Sequence, residues 1–463
     1  MNAIKKSIET RLAAMTARNA ALYSKLKDGV SLTDYSHLCR KGEIDGNKVS
    51  IWTDALEKAL AEHGVIRIPA SDAPYYIDGQ IVIPSNRRIE AESGAVICQM
   101  PDETVLMFRN EHVTDGSFYQ TDPSVRDRNI SIDGGRWEEL RSRRAGYGST
   151  GKFDEAHSMN GVSTMMLFSG VDSLSLTNME FAHTAGFSVQ IGNASDVWCE
   201  NIHFDTCYAD GLHINGNTEN IVTRHISGEV GDDLVALNMY DWDNSSINFG
   251  PMRTVLCEDL DQAETSPYKA MRIQPGVYFF KDGTSVDCKA EDIIVRKVCG
   301  IINFKLYLQT PGYRLADGPS KAAAGSGGNL FFEDIDIDLC HPIDGMPNYM
   351  NSDPVTGCIA AFEIGSNLTN VSFENIRLTL HRDRFPQSYL LNIGPKSFFT
   401  GDFEVFDPYV TCDVGCVYMK NIKINGETPE DIGEYVKLIK FDRIYDSDLA
   451  SGEGRLGKLE YTK

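Results

Sequence analysis

The chain has 463 residues, of which 42% are hydrophobic and 24% are charged, proportions typical of a globular protein with a large core. Acidic residues outnumber basic ones by 66 to 44, which gives a formal net charge of -22. Nucleic acids and anionic membrane surfaces bind basic surfaces, so this balance argues against both as main partners, although a local Arg or Lys can still hold a small anion.

The first 29 residues show the pattern of an amphipathic helix. Ile4, Ile8, Leu12 and Met15 recur at helical spacing, which predicts a helix packed on the body of the protein. A helix lying on a membrane surface is the alternative, and Glu9 on the polar face disfavours it. We expect residues 1–50 to form this helix and a lead-in, and residues 51–463 to form one further domain.

The start lacks the apolar core of a secretory signal, and no run is long enough to span a membrane. The 11 cysteines are scattered, without CxxC or CxxH spacing. These features predict reduced thiols, no disulfide or zinc framework, and a cytoplasmic protein.

A second helix is predicted from about Thr53 to His63, with Gly64 at the position that favours a glycine cap. Short strands follow it. A stacked-repeat fold needs its open end covered, and this helix is the natural cap.

Two sets of short segments with alternating apolar residues recur with a step of 23 residues in the middle of the chain. Turn-forming Gly, Asn and Asp residues separate the sets, as is typical of short strands joined by turns. The first set begins at Asn178 (NMEF), Asn201 (NIHF) and Arg224 (RHIS), and the second at Ser188 (SVQI), Gly211 (GLHI) and Leu234 (LVAL).

This period predicts the coils of an all-β, single-stranded parallel β-helix. The repeat is too short for a propeller blade and lacks the spaced leucines of leucine-rich repeats. Similar segments continue with more variation from Asn329, Asn370 and Cys416. Two long irregular stretches, Glu138–Gly161 and about 311–328, interrupt the coils, and we expect them to be functional or disordered loops.

The 23-residue step also relates two acids, Asp210 and Asp233. Stacked parallel strands lie roughly 4.8 Å apart, so these carboxylates are predicted to lie side by side, with Asp232 aimed differently. Gly, Asn and Asp are also ordinary turn residues. Aligned like charges cost energy unless they are used, however, which favours a functional site.

The strand after these acids carries a line of equivalent positions. Gln190, His213 and Ala236 are each one step apart, and we expect their face to be lined by solvent. The next predicted strand, AMRI, adds Arg272 to this line and Lys269 beside the acids. A lone histidine in a strand is more often structural, so the shared register carries the functional interpretation.

Three further residues follow from the second acidic strand. Asn238 ends it, and Tyr240 and Trp242 come directly after it. Aromatic faces stack on sugar rings, although an aromatic side chain at this place is more often a packing residue. The patch therefore predicts a site for a carbohydrate.

With these residues in place, the chain resembles the polygalacturonase family (family 28 glycoside hydrolases) among the pectin-lyase-like right-handed parallel β-helices. The segment 54–86 resembles the family's N-terminal cap, and NISIDGGRW from Asn129 resembles its NITIDGGG.W coil. YADG, GDDLVAL and RIQ stand where the family has Asn-Thr-Asp-Gly, Gly-Asp-Asp and Arg-Ile-Lys. The resemblance covers most of the chain and implies a right-handed β-helix with an N-terminal helical cap.

The resemblance also implies roles and an activity. Asp232 would be the general acid, Asp210 and Asp233 would hold and deprotonate the attacking water, and Arg272 would bind the sugar. This implies an inverting glycoside hydrolase, and we expect exo-action on imported oligosaccharides, without a cofactor or metal. The oligomeric state is open. The predicted substrate-binding residues are His213, Asn238, Tyr240, Trp242, Lys269, Arg272 and Gln274.

Two departures from the family bear on the substrate. Its Gly-His-Gly coil has no counterpart, and His213 or Lys269 is a candidate replacement for that histidine. The lysine of Arg-Ile-Lys, which grips the galacturonate carboxylate in the family, is the uncharged Gln274. A galacturonide and a neutral, galactoside-like sugar are both open as substrates.

Two other classes of function stay open. In a pectate-lyase-like polysaccharide lyase, the acids would hold Ca²⁺ and Arg272 or Lys269 would abstract a proton. Gln274 argues against the uronate that a lyase needs. The other class is a carbohydrate-binding or structural β-helix without catalysis.

Overall fold

The computed structural model describes residues 2–26, 29–101, 106–113, 125–142, 164–241, 247–279, 282–307, 324–339, 359–394, 412–441, 443–446 and 450–463. Within these ranges the chain is mostly β-strand, arranged in two large sheets that enclose one hydrophobic core. Successive coils contribute strands to both sheets. The pairing of these strands determines which residue of the next coil lies beside a given residue.

The larger sheet contains the long strand of each coil and several short strands near the ends of the chain. Numbered along the chain, its strands are β1 (Gly29–Ser31), β2 (Arg40–Ile44), β3 (Asn47–Ile51), β4 (Val65–Ile68), β5 (Tyr75–Ile77), β7 (Arg87–Gln99), β9 (Asp127–Glu139), β11 (Val171–Ala182), β13 (Ser195–Cys207), β15 (Thr218–Val230), β17 (Met252–Gln262), β21 (Ala290–Cys299), β23 (Ser326–Leu339), β25 (Asn367–Leu380), β27 (Cys412–Lys420), β28 (Lys423–Ile424), β30 (Arg443–Asp446) and β31 (Ala450–Thr462).

The smaller sheet contains the short strands. These are β6 (Ile81–Ile83), β8 (Phe108–Asn110), β10 (Thr164–Ser169), β12 (Phe187–Gly192), β14 (Leu212–Asn215), β16 (Val235–Asn238), β18 (Ala270–Gln274), β22 (Asn303–Leu306), β24 (Ile359–Ile364), β26 (Ser388–Ile393) and β29 (Ile439–Phe441). A separate antiparallel hairpin is formed by β19 (Gly276–Phe279) and β20 (Ser285–Cys288). The helices are α1 (Asn2–Tyr23), a 3₁₀ helix (Leu32–Leu38), α2 (Thr53–Glu62) and α3 (Ile432–Val436).

Successive coils stack in parallel, and their apolar side chains form columns inside. Met179 of β11 pairs with Ile202 of β13, and the rings of Phe181 and Phe204 stack with centroids 5.6 Å apart. The segments predicted as four-residue strands in the first set lie inside strands of 12 or 13 residues. The architecture confirms the predicted all-β parallel β-helix.

One step of the repeat differs from the prediction. In the larger sheet Ile202 pairs with Ile226, 24 residues further on, so the segment RHIS is one residue out of the predicted alignment. A bulge removes the extra residue, because Cys207 pairs with Val230 at a step of 23. The acidic turns that follow the bulge therefore keep the predicted step.

Two columns of left-handed backbone bend the long strands. In the first bend column, Gly134, Asn178 and Asn201 have φ values of 83°, 56° and 57°, a conformation that Gly and Asn tolerate best. The Asn201 amide donates to Asn178 Oδ1 at 2.7 Å, and Asn178 Nδ2 donates to Asp133 Oδ1 at 2.6 Å. The column continues at His225, Asp259, Lys297, Asp334, Asn375 and Asn421. The second bend column consists of Asn129, Ser173, Asp196, Asn220, Thr254, Asp292 and Asn329.

Helix α1 lies across the outer face of the larger sheet, as its spacing predicts. Ile8, Leu12 and Met15 are at most 4% exposed, whereas Ile4 is 37% exposed. The buried three cover an apolar column made of one outward-facing residue from each of five successive coils. This column consists of Trp198, Val222, Leu256, Ile294 and Phe331.

Both ends of α1 are tied to the sheet. Near its start, Lys5 forms an ion pair with Glu333. At its end, the Tyr23 hydroxyl lies 2.9 Å from the carbonyl oxygens of both Ile130 and Ser173. The helix therefore connects coils that are far apart in the sequence.

Helix α2 covers the open end of the core, as predicted, with Ala55, Leu56 and Leu60 buried in it. The helix ends at Glu62, and the predicted glycine cap is wrong. His63 is extended at φ -125° and ends the helix by itself, so Gly64 does not need the left-handed conformation. The lead-in joins the body, because β1 pairs with β4 and β3 pairs with β5.

The nine cysteines in the described ranges carry free thiols. Within those same ranges, no helix is long and apolar enough to cross a membrane.

Candidate active site

The predicted acids lie in turns that lead into neighbouring short strands. Asp210 comes just before β14, and Asp233 comes just before β16. The Gly211 N–H donates to the Asp233 carbonyl at 3.0 Å, so the two turns stack directly. The Asp233 N–H in turn donates to Asp210 Oδ1 at 3.2 Å. The structure therefore brings these two residues together as the 23-residue step predicts.

Three carboxylates converge at this place. One oxygen from each of Asp210, Asp232 and Asp233, together called the acid cluster, lies within 4.8 Å of the others. Asp233 is fully buried and Asp210 is 2% exposed, whereas Asp232 is 8% exposed. Asp232 is therefore the member most accessible to a ligand.

Burial perturbs the protonation of the acid cluster. Burial and then the charge of Asp232 raise the pKa of Asp210, while the hydrogen bond from His213 lowers it. Burial also raises the pKa of Asp233 well above its usual range, and the charge of Arg272 counteracts this only in part. The cluster can thus retain a proton at a pH where an exposed carboxyl has lost it.

Arg272 on β18 lies against two of the acids. Its Nη2 donates to Asp232 Oδ1 at 3.3 Å, and its Nε lies 3.1 Å from Asp233 Oδ2. The strand register places Ala236 between His213 and Arg272, which is the predicted line. Among the described residues no group donates a well-directed hydrogen bond to either oxygen of Asp233, so the arginine balances the charge of this carboxyl without fixing its orientation.

A second buried cation, Lys305 on β22, extends this line and was not predicted. It is paired with Arg272 in the strand register and is 2% exposed. Its ammonium lies 5.3 Å above the Tyr268 ring, and the charge of Asp233 acts on it. Burial lowers the pKa of Lys305, and the charge of Glu363 opposes this shift. The sequence feature that could have identified Lys305 is a lysine within the apolar segment NFKL. This lysine lies 33 residues after Arg272, so the 23-residue step does not reach it.

His213 is held between two carboxylates. Its Nδ1 lies 2.5 Å from Asp210 Oδ2, and its Nε2 lies 3.0 Å from Asp241 Oδ2. Phe187 stacks on the imidazole with centroids 3.9 Å apart and planes at 12°. Burial alone would lower the pKa of His213, but the hydrogen bonds to Asp210 and Asp241 outweigh burial and raise it to about 9. The imidazole is therefore a cation at neutral pH.

The prediction that this face is lined by solvent is wrong. Gln190 and Ala236 are fully buried, and His213 is 1% exposed. Gln190 Nε2 donates to Asn215 Oδ1 at 2.8 Å, and the Ile247 N–H donates to the same oxygen at 3.4 Å. Ile247 thus lies against this face. Alternation indicates which side chains share a face, but not what covers them.

Three predicted substrate-binding residues are placed as internal partners. Asn238 Nδ2 donates to Asp241 Oδ2 at 2.8 Å, and Gln274 Nε2 donates to the Tyr240 carbonyl at 2.7 Å and to Asp241 Oδ1 at 3.3 Å. Tyr240 is 5% exposed and packs edge-on against Tyr278, with centroids 5.7 Å apart. Because Asn238 and Gln274 are also fully buried, direct sugar contact by these three residues is not supported.

Asp241 was not predicted, although it lies in the insertion MYDWDN that follows the second acidic strand. A single acid in an irregular insertion has no equivalent position in the neighbouring coils, so the repeat does not identify it. Lys269 directly precedes β18 and is half-buried, and its substrate-binding role stays a prediction. Trp242 lies outside the described residues, as does most of the two predicted long loops.

Two groups of described residues have ligand atoms close enough together for a metal ion. The first is the acid cluster, where Arg272 already lies against two of the carboxylates. The second is Glu111, His112 and Asp127, where both Asp127 oxygens accept hydrogen bonds from protein groups. Protein donors therefore satisfy Asp127 in the second group, whereas the first group keeps carboxylate oxygens without a described hydrogen-bond donor.

No protein-family model and no curated protein matches this sequence. Solved structures do match it. An exopolygalacturonase from Thermotoga maritima is 11% identical, with 88% of this chain and 96% of that chain covered and a TM-score of 0.49. A family 28 exopolygalacturonase from Yersinia enterocolitica is 13% identical, with 87% and 77% covered and a TM-score of 0.45.

A third match is the N-terminal fragment of gene product 12 from bacteriophage phi29. It is 14% identical, with 86% of this chain and 64% of that chain covered and a TM-score of 0.51. Similarity at this level of identity establishes the fold alone. The fold is the predicted right-handed parallel β-helix.

Proposed function

We propose that this protein is a glycoside hydrolase that cleaves oligosaccharides at the acid cluster. The observation that carries the proposal is the convergence of three carboxylates within 4.8 Å against a buried guanidinium. Buried like charges destabilise a fold, so a cluster of them indicates a reaction or a ligand that uses them. Clustered carboxyls with perturbed pKa values are typical of acid–base sites. Carboxyls in unlike environments are what glycosidic bond cleavage requires.

The proposed reaction uses each acid in a named role. Asp232, the most exposed member, protonates the leaving oxygen as the bond between that oxygen and the anomeric carbon breaks. A water molecule held by Asp210 and Asp233 attacks the anomeric carbon, and its proton passes to one of these two carboxylates. Arg272 binds the sugar at the cleavage point. One water is consumed for each bond cleaved.

The proposal includes inversion at the anomeric carbon and exo-action. Typical inverting enzymes place acid and base roughly 6.5–9.5 Å apart, whereas the nearest oxygens in the acid cluster lie within 4.8 Å. The configuration of the product is therefore a discriminating measurement. Proton NMR of the first turnovers should show the inverted anomer, and the product pattern should show one sugar released from the chain end. A retained anomer or a ladder of long products would contradict these parts.

Lys305 favours an acidic sugar as the substrate. Gln274 cannot offer a charge to a carboxylate, but Lys305 brings an ammonium to the neighbouring coil. In the described part of the chain this ammonium makes no direct ion pair, so it is available to a ligand. Glu363 of the next coil pairs with Lys305 in the strand register and offsets part of its charge. A buried cation without a direct ion pair is still costly, and binding an anionic group reduces that cost. Of the two open substrates, the galacturonide therefore fits better.

The experiment that tests the function is a screen of the purified protein on p-nitrophenyl glycosides and short galacturonides, with Asp232→Asn alongside. We expect release of one sugar, and a loss of about 10²–10⁴-fold in kcat for the variant because a general acid contributes that much. Circular dichroism should show the variant folded. Equal rates for the two proteins on every cleaved substrate would overturn the assignment.

The convergence of the acids is also the observation that favours a second candidate, a Ca²⁺-dependent polysaccharide lyase. A lyase would give an unsaturated product that absorbs in the ultraviolet, and a chelator would stop it. The hydrolase proposal expects no such absorbance and no effect of the chelator. A carbohydrate-binding protein without catalysis would bind sugars and release none.

A further inference from the structure

A buried chain of three ionisable groups runs away from the acid cluster. It begins at the Asp210 carboxylate, passes through the His213 imidazole at 2.5 Å, and ends at the Asp241 carboxylate at 3.0 Å. All three side chains are at most 3% exposed. Bulk solvent is thus kept away from His213 and Asp241, and a partner lost there is not readily replaced by water.

Asp241 is fixed by residues from three successive coils. His213 of β14 and Asn238 of β16 both contact its Oδ2, while Gln274 of β18 donates to its Oδ1. Phe187 of β12 holds the imidazole plane from the other side. The position of the imidazole is therefore determined by four neighbouring coils, not by one flexible side chain.

Asp210 is correspondingly held at both oxygens. Its Oδ2 accepts from His213 and its Oδ1 accepts from the Asp233 N–H. This contrasts with Asp233, whose carboxyl oxygens accept no hydrogen bond from any residue in the described ranges. Within the acid cluster, one carboxylate is thus oriented by the protein and another is left open.

We propose that Asp241 and His213 are positioning residues, which hold the Asp210 carboxylate in the orientation that the reaction needs. This inference rests on the proposed function. The described contacts of Asp241 are with His213, Asn238 and Gln274, so it acts on Asp210 through the imidazole. Its role explains why Asn238 and Gln274 are buried beside the site, since their amides fix Asp241.

A structural role alone would give a different result. If Asp210, His213 and Asp241 only filled the space under the turn, a neutral side chain of equal size at position 241 would lower stability and leave the reaction unchanged. If it positions Asp210, the same change alters turnover and its dependence on pH. The charges that face His213 are Asp210 on its own coil and Asp241 from the next.

The experiment compares Asp241→Asn with wild type in the full chain, on the substrate found by the screen. We expect kcat to fall about 10–100-fold with KM changed less than about threefold, because the interaction acts on the reacting group and not on sugar binding. The alkaline limb of the kcat profile should move to lower pH, because the imidazolium loses one of its two counter-charges. Asp241→Glu should restore most of that limb.

The matched control is Asp259→Asn. Asp259 also pairs with a histidine, His225, but this pair is exposed on the larger sheet. The control should leave kcat and the pH profile unchanged. An independent readout is the imidazole signal of His213 in NMR, which should titrate at lower pH in Asp241→Asn than in wild type.

The outcomes separate the two proposals. A wild-type kcat and pH profile in Asp241→Asn, with Asp232→Asn inactive, would overturn the positioning role and leave the hydrolase standing. A wild type that cleaves no substrate would overturn the function, and the positioning role with it. If Asp241→Asn does not fold, Gln274→Met removes one donor to Asp241 and should lower kcat in the same direction by less. An unchanged kcat in that variant would count against the proposal.

Discussion

Opposite charges at the site lie on different coils. The acid cluster belongs to the turns before β14 and β16, while its cations, Arg272 and Lys305, come from β18 and β22. Burial is the largest influence on the pKa of Asp233, and it works against ionisation despite these cations. The cations therefore reduce the free-energy cost of ionising the buried carboxyls without removing it. The acid cluster can for this reason retain a proton.

The charge of His213 predicts how stability depends on pH. The pKa of this imidazole is raised to about 9 in the folded protein, above its usual value of roughly 6.5. Its contribution to stability is therefore fully present below roughly pH 6.5 and is lost as the pH rises through about 9. Urea unfolding of wild type and His213→Asn should show a larger difference in the free energy of unfolding at pH 6 than at pH 9.5. A difference that is independent of pH would contradict the buried imidazolium.

Lys305 predicts how the proposed hydrolase distinguishes acidic from neutral sugars. Lys305→Met keeps the length of the side chain and removes its charge. A hydrogen bond to a charged group contributes about 1.5–3 kcal/mol, so KM for a galacturonide should rise about 10–100-fold. KM for a neutral glycoside should change little. Lys297→Met, which alters an exposed lysine on the larger sheet, is the control and should affect neither.

At the scale of elements, helix α1 owes its place to three buried side chains. Leu12 is 1% exposed above the apolar column, and large-to-small changes at such sites cost about 2–5 kcal/mol. Leu12→Ala should lower the free energy of unfolding by an amount in this range, measured with urea. The control Ile4→Ala removes a comparable side chain that is 37% exposed and should cost well under 1 kcal/mol. Equal losses would show that α1 is not packed on the sheet.

The bend columns act over the whole molecule, because each coil contributes one residue to them. Asn201 combines a left-handed φ with an amide bond to the coil before it. Asn201→Ala should lower the free energy of unfolding by about 1–2 kcal/mol, because alanine tolerates the left-handed conformation poorly and cannot donate the side-chain hydrogen bond. Asn201→Gly should cost less, since it loses only the amide bond and gains chain entropy when unfolded. Thermal or urea unfolding gives the order, and a glycine variant less stable than the alanine variant would contradict it.

Most of the fold could be predicted, because consecutive coils from Asn178 to Asn238 have almost equal length. That regularity also placed Asp210 beside Asp233, whereas the alternating segment AMRI put Arg272 on the line of His213. After Asn238 the coils vary in length, with steps of 36 residues from Ala236 to Arg272 and 33 from Arg272 to Lys305, so the register that would have identified Lys305 is lost. Asp241 lies in an irregular turn, where no periodic pattern applies. The buried state of the face around Gln190 depends on a covering segment, and periodicity contains no information about such a segment.

The path of α1 sets the order in which the protein can fold. Lys5 and Glu333 are ion-paired although 328 residues separate them, and the column under the helix is complete only when Phe331 has been made. Since domains form as the chain emerges, the helix is synthesised before every coil it covers and docks after them. Until then, the five apolar residues of the column face water, and a nascent chain exposes the surface that invites aggregation. Closing the long loop between α1 and the last coil under it is slow. Docking of α1, the segment that is synthesised first, is therefore the last step of folding.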